Sequence, residues 1–276
     1  MGRRKEQIVP VLEAVLIPMR APVFLDTLTD APVGQFSEID VREVAELAAQ
    51  AAKEARQKAD RAMELAEDAK RAQVRIHAHN QECDKRMPWN KPANWRKHGN
   101  GSQSYQGYTT RDAEGFFIPH GEGESTHPST TYRCANFDRR NVAGLVVETF
   151  ADGSTSAGSR FEEKGIAELI HTSRQMNAVF AGYWTTSADV MSLKLGMITY
   201  PDKSVYYGYC SHVQSLDHVA PSGFGVWSDD GKITVFAGFE DGFADGVALF
   251  RMAAGKQGDY LGAFSKGRLL NVSEGL

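Results

Sequence analysis

Residues 223–250 read GFGVWSDDGKITVFAGFEDGFADGVALF, with glycines set among aromatic and β-branched residues and Asp-Gly pairs between them. Glycine weakens a strand interior, whereas aromatic and β-branched side chains favour one. Such a mixture calls for strands that turn often and pack closely. Gly223-Phe224-Gly225-Val226-Trp227 alternates small and large residues, the period-two pattern of a strand. Asp229-Asp230-Gly231 supplies the positive φ of a tight turn, and residues 233–239 form a second strand. Glu240-Asp241-Gly242 turns the chain again, and Gly246 reopens the pattern. The unit is a hairpin that repeats.

Two glycine rulers extend the repeat along the chain. Gly158, Gly182, Gly208, Gly238 and Gly262 are 24, 26, 30 and 24 residues apart, and each of the last four has aromatic neighbours. Unit-opening glycines give the second ruler: Gly121 to Gly144 and Gly223 to Gly246 are both 23 apart, and Gly196 to Gly223 is 27. Turns are expected at Asp152-Gly153, Pro201-Asp202 and Asp230-Gly231. Gly238 is expected to be a point of close backbone approach, with Phe236 and Phe239 in register beside it.

A hairpin of this length and flavour resembles the MORN repeat. The nearest matches are Gly223-Phe224-Gly225 through Phe239-Glu240-Asp241-Gly242, and then residues 246–267. The resemblance covers about residues 120–270 in roughly six units, several of them degenerate. It implies an elongated single-layer antiparallel sheet used for protein–protein contact and oligomerisation, with no catalytic residues to carry over. Some relatives in that family have been proposed to contact lipids.

Charge bears on that last point. Residues 120–276 carry 13 Lys+Arg against 18 Asp+Glu, and residues 1–119 carry 18 against 17. An acidic repeat region does not bind nucleic acid or an anionic bilayer by charge. Three scattered cysteines, Cys83, Cys134 and Cys210, make no disulfide framework and fit a reducing compartment. No secretory leader is expected: the apolar stretch after Met1-Gly2-Arg3-Arg4-Lys5 is interrupted by Pro10, Glu13, Pro18 and Pro22. No apolar run reaches the 18 residues of a membrane-spanning helix.

Residues 37–87 contain neither Gly nor Pro, are rich in alanine, and stop at Pro88. They are read as one long helix. Ser37 and Asp40 form a capping box, with Phe36 and Val41 at the staple positions. A 3-4 spacing runs through Val41, Val44, Ala48, Ala51, Ala55, Lys58, Ala62, Leu65, Ala69, Ala72, Ile76, His79 and Cys83. That is a heptad seam, and the expected partner is a sister chain, giving a dimer or trimer through residues 37–83. Residues 1–36 are apolar and proline-punctuated, with Val9, Val11, Leu12, Val15, Leu16, Ile17, Val23, Phe24, Leu25 and Leu28. They are read as an arm, either packed on the chain's own C-terminal region or docked on a partner. Residues 88–119, rich in Gly, Pro, Asn and Ser, are read as a linker pinned by Trp89 and Trp95.

Two groups of residues have the types that catalysis or metal binding uses. His77, His79 and Cys83 have a spacing that suits zinc, but no fourth ligand is evident. His212, Asp217 and His218 lie in the longest insertion, without a strained elbow or oxyanion loop to position a nucleophile. Gly223-x-Gly225 and Gly121-x-Gly123 precede no helix, so they are not phosphate loops. No catalytic, cofactor-binding or metal-binding residue is assigned.

The expected fold class is α+β: an arm (1–36), a helix or coiled-coil stalk (37–87), a linker (88–119) and an antiparallel β-hairpin repeat domain (120–276). The expected function is a non-enzymatic structural component of a virion, such as a bacteriophage tail or head fibre. The arm attaches it to other virion proteins, the helix oligomerises, and residues 120–276 face a host-surface receptor. The alternative is a bacterial cytoplasmic MORN-type interaction scaffold. No nucleic-acid partner and no membrane insertion are expected.

Overall fold

The computed structural model describes residues 38–99, 103–128, 130–187, 190–212, 219–253 and 258–274. The expected arm and the Ser37 cap lie outside the described residues. The fold is α+β: one long helix followed by a single open antiparallel sheet of fifteen strands.

Helix α1 spans Glu38–Lys85, and a 3-10 turn at Pro88–Asn90 follows it. Strands β1 (Trp95–Gly99), β2 (Ser104–Arg111) and β3 (Phe117–His127) open the sheet. They are followed by β4 (Thr130–Asp138), β5 (Asn141–Phe150), β6 (Thr155–Phe161) and β7 (Ile166–Ser173). The middle strands are β8 (Ala178–Ser187), β9 (Val190–Thr199), β10 (Val205–His212) and β11 (Val219–Asp229). The last four are β12 (Ile233–Glu240), β13 (Phe243–Met252), β14 (Gly258–Ser265) and β15 (Arg268–Glu274). Every strand pairs only with its neighbours in sequence, so the sheet is an uninterrupted meander.

The expected linker over residues 88–119 instead supplies β1, β2 and the start of β3. Its turn-rich composition conceals an alternation in which Tyr105, Gly107 and Thr109 point inward from β2 and Trp95 points inward from β1. Strand identity here comes from that alternation, which the Gly, Asn and Ser content masks.

The helix runs along the meander and crosses its strands one after another, from β3 to β13. Its C-terminal part meets β3, where Arg75 pairs with Glu122 and His77 Nδ1 lies 3.0 Å from Glu124. Ala66 and Ala69 pack on Val147 of β5 and Ala157 of β6. Lys58 reaches Glu168 of β7 at 3.1 Å and sits over the Tyr183 ring of β8, and Arg56 sits over Tyr207 of β10. The two periods match. From His77 back to Arg56 the helix advances about 32 Å at ~1.5 Å per residue. From β3 to β10 the sheet advances about 34 Å at ~4.8 Å per strand.

The buried stripe of α1 is Val41, Ala48, Ala51, Ala55, Ala59, Ala62, Ala66, Ala69, Ala72, Ile76, Asn80 and Cys83. The face expected to meet a sister helix is thus covered by the chain's own sheet. The seam is also displaced at three places: Ala59, Ala66 and Asn80 are buried where Lys58, Leu65 and His79 were expected. Alanine suits this contact because a methyl side chain lets the helix backbone lie close to a continuous sheet.

The opposite face of the sheet has no helix, yet it holds the largest apolar cluster. Leu169, Phe180, Trp184, Leu193, Ile198 and Tyr206 are fully buried there. One cluster contains residues from both halves of single strands: Phe180 and Trp184 of β8, Leu193 and Ile198 of β9, Tyr206 and Cys210 of β10. The strands therefore bend at mid-length and close this face on itself. Glycines and bulges mark the bend. Gly182 has φ +150°, and the register slips just after it, at Tyr183/Trp184. Beside the bend, the Tyr206 ring lies over Gly208 and Gly225, and its hydroxyl donates to the Tyr209 carbonyl at 2.7 Å. Burial pushes the Tyr206 hydroxyl well above the ordinary tyrosine range.

The same device recurs about a hundred residues earlier, where Tyr105 covers Gly107 and Gly123 and donates to the Tyr108 carbonyl. The turns recur too. Gly121 and Gly223 follow Pro119 and Pro221 with φ +84° and +85°. The Pro119 carbonyl accepts from the Arg140 amide, and the Pro221 carbonyl accepts from the Gly242 amide, each at 2.9 Å. Strands β2–β5 and β10–β13 are thus structural repeats of one another. Asp241-Gly242 makes the expected positive-φ turn, while Arg139-Arg140 takes the same conformation with two non-glycine residues.

Gly238 departs from expectation. A Cβ there would meet only the Asp245 carbonyl oxygen at 3.5 Å, an ordinary contact, because the register slips between Ala237 and Gly238. The close approach is at Gly225, where a Cβ would enter the Tyr206 ring. Gly238→Val is accordingly predicted to change stability by less than about 1 kcal/mol. Gly225→Val is predicted to cost at least about 1–3 kcal/mol through overpacking, read by urea unfolding. On the helix side, Ala62→Leu is predicted to cost about 1–3 kcal/mol for the same reason. Unchanged stability in Ala62→Leu would show that α1 is not tightly seated.

Candidate functional surface

The sequence-level candidates for chemistry do not converge. Cys83 is buried, with its Sγ 3.4 Å from His79 Nε2, and Tyr108 Oη lies 3.0 Å from that same nitrogen. His79 also stacks on the Tyr108 ring. His77 points away from this pair toward Glu124 and Gln81. Among the described residues no group of three or more His, Cys, Asp or Glu could hold a metal ion. Asp217 and His218 lie outside the described residues, and the insertion carrying them leaves β10 at His212. Gly121 and Gly223 occupy strand bulges at positive φ, and no helix follows either.

The bend interior contains a polar row that pattern reading did not single out. Glu148 of β5, Ser156 of β6 and His171 of β7 are cross-strand neighbours in register. Ser156 Oγ lies 2.9 Å from His171 Nδ1, and Arg160 pairs with Glu148 at 3.2 Å. The His171 ring stacks on Phe180 and meets Phe150 and Trp184 edge-on. A serine beside a histidine has the look of a nucleophile and its base. Here both are buried and aromatic rings enclose the imidazole, so the pair satisfies interior polar atoms and offers no opening to a substrate. Nearby, Cys210 is also buried, and burial raises its thiol pKa, which leaves it a poor nucleophile. The signal for this row is a single polar residue on the same face of each of three adjacent strands, which needs the register to be recognised.

The accessible chemistry gathers at the β1 end. There α1 is locked to the sheet through Asn80, which is buried. Its Oδ1 accepts from Trp95 Nε1 at 2.9 Å, and its Nδ2 donates to the Gln106 carbonyl at 3.2 Å. Gln106 Nε2 donates back to the Asn80 carbonyl at 2.9 Å. Trp95 is thus pinned as expected, whereas Trp89 is 77% exposed. Phe116 is also largely exposed, and the Phe117 ring carries guanidinium groups of Arg96 and Arg111 at 4.2 and 4.4 Å. Residues 85–111 contain six Lys/Arg and no Asp/Glu, in a chain of net charge −4.

No family model matches the chain, and no curated protein matches it. What defines the class is the architecture itself: one long helix bracing a fifteen-strand antiparallel sheet of hairpins.

Replacing Asn80 by Leu would leave the Trp95 N–H without its acceptor and remove the side-chain donor to the Gln106 carbonyl. A buried orphan costs about 1–3 kcal/mol. Asn80→Leu is therefore predicted to lower the unfolding midpoint and to quench or shift Trp95 fluorescence before global unfolding. A native-like Trp95 signal up to the global transition would rule out the lock.

Proposed function

We propose that this chain is a structural, non-catalytic assembly protein, a virion appendage component such as a bacteriophage tail or head fibre. In this reading residues 1–36 attach it to other virion proteins, and the hairpin array is the surface displayed to a receptor. The observation that carries the proposal is the match between α1 and the sheet. A helix laid across the successive hairpins makes a stiff body of fixed length, a property that suits a spacer or display element. Self-association remains part of the proposal, through surfaces other than the covered alanine stripe. The resemblance of the hairpins to MORN repeats supports a role in protein–protein contact.

That resemblance also favours the second reading, a bacterial cytoplasmic MORN-type scaffold whose arm binds a client. The two differ in where the protein is found. Mass spectrometry of purified particles is expected to detect the full chain at a fixed ratio to capsid protein. A chain beginning at Ser37 is expected to fold and to be missing from the particles. Detection of the full chain only in the cytoplasmic fraction, bound to host proteins, would overturn the virion assignment. Normal incorporation of the shortened chain would overturn the anchoring role of the arm.

A further inference from the structure

We propose that β1 is an open docking edge for an acidic extended segment of a partner protein, which adds to the sheet as a further strand. The inference goes beyond the virion reading and does not depend on it.

Strand β1 pairs with β2 alone, so its outer side lies at the margin of the sheet. The Thr109 amide donates to the Asn94 carbonyl at 2.8 Å, which sets the phase of the ladder. In an antiparallel pair the bonding direction alternates, so residues 96 and 98 bond inward and residue 97 points its N–H and C=O outward. Among the described residues no strand lies beside them. A free edge of this kind is a template for strand addition.

The side chains determine which strand is admitted. Arg96 and His98 lie on the far face of the sheet, with Gly107 and Tyr105 as cross-strand partners. Lys97 lies on the helix face and pairs with Asp84 at 2.6 Å. Lysine and arginine on an edge repel a second copy of the same edge and disfavour indiscriminate pairing. A strand with carboxylates at alternate positions would instead face Arg96 and His98 and meet opposite charge cross-strand. The cationic character is local: Arg86, Lys91 and Lys97 are paired with Glu82 or Asp84, while Arg96 and Arg111 lie against the Phe117 ring, in a chain that is acidic as a whole. The exposed Trp89, just before the strand, provides the aromatic contact surface common at docking sites.

The test uses the full chain and three fluorescein-labelled twelve-residue peptides. One alternates Glu with Val and Thr, one carries Lys in place of Glu, and one is the acidic peptide with alternate amides N-methylated. Fluorescence anisotropy is expected to show saturable binding of the acidic peptide alone, weakened by salt. Amide exchange is expected to slow at Lys97. Arg96→Glu should weaken binding about tenfold or more, as loss and reversal of a facing charge does. Because Arg96 also holds local carbonyls and the Phe117 ring, a second variant is needed. Lys97→Pro removes the outward N–H, a substitution that an edge strand tolerates, and should abolish binding while β2–β15 stay protected. Binding of the Lys peptide or the N-methylated peptide as tight as that of the acidic peptide would overturn the proposal. So would the absence of acidic-peptide binding, or binding without protection at Lys97.

Discussion

The structure depends on a coincidence between two repeat distances. An α-helix advances about 4.5–6 Å over three or four residues, and neighbouring strands lie about 4.8 Å apart. A helix laid across a meander can therefore offer one inward residue to nearly every strand. The stripe from Ala48 to Cys83 does so, with buried residues three or four apart over that length. Larger side chains would hold the helix off the sheet, and smaller ones would leave a gap. Alanine is the residue that fits along most of the crossing. At its C-terminal end the stripe changes to Ile76, Asn80 and Cys83, where the sheet offers Gln106 and Trp95 to a polar lock.

The crossing changes how the array behaves as a solid. In a linear repeat array each unit touches only its neighbours, so damage stays local. Here α1 contacts strands from β3 through β13, which ties distant hairpins to one rigid rod. The bent far face works more locally, since its clusters are drawn from groups of adjacent strands: one centred on β7–β11 and another on β12–β14. Stability in this molecule thus has a short-range part in the bend and a long-range part in the helix.

The sequence made some of this plain and concealed the rest. The hairpin period was legible because Asp-Gly turns and Gly-aromatic strands have strong local preferences, and Asp241-Gly242 forms its turn as read. The helix was legible from the absence of Gly and Pro between residues 37 and 87. Its partner was not. A 3-4 stripe of alanines has the same periodicity whether it faces a sister helix or a sheet with commensurate spacing, and only long-range contacts distinguish the two. Strands β1 and β2 were concealed because Gly107 and the surrounding Asn and Ser read as linker, although a Cβ at Gly107 would strike the β3 backbone at Gly123 and Glu122. Gly238 illustrates the reverse error. Like Gly182 it lies in a Phe-Ala-Gly-aromatic stretch, but the bulge at Ala237/Gly238 shifts the partner strand away, and a bulge leaves little trace in a single sequence. The Glu148, Ser156 and His171 row needed the register of three strands before its members could be seen as neighbours.

The same architecture limits where a partner can act. The far face is closed by its own bend, so residues such as Trp184 and Phe180 are not available for recognition. The helix face is crossed from β3 to β13 by α1, whose outward side is charged and carries short-range ion pairs such as Glu67 with Lys70 and Arg61 with Glu64. Exposed pairs of that kind contribute little energy and are readily solvated, so they provide weak grounds for specific docking. What remains are the hairpin tips and the margins of the sheet. Tips hold short turns whose conformation is already determined by positive φ. A margin, by contrast, turns backbone groups outward, as Lys97 does on β1, and main-chain hydrogen bonding there adds affinity without requiring the fold to change. In a sheet closed on one face and braced on the other, an edge is the place where recognition demands the least rearrangement.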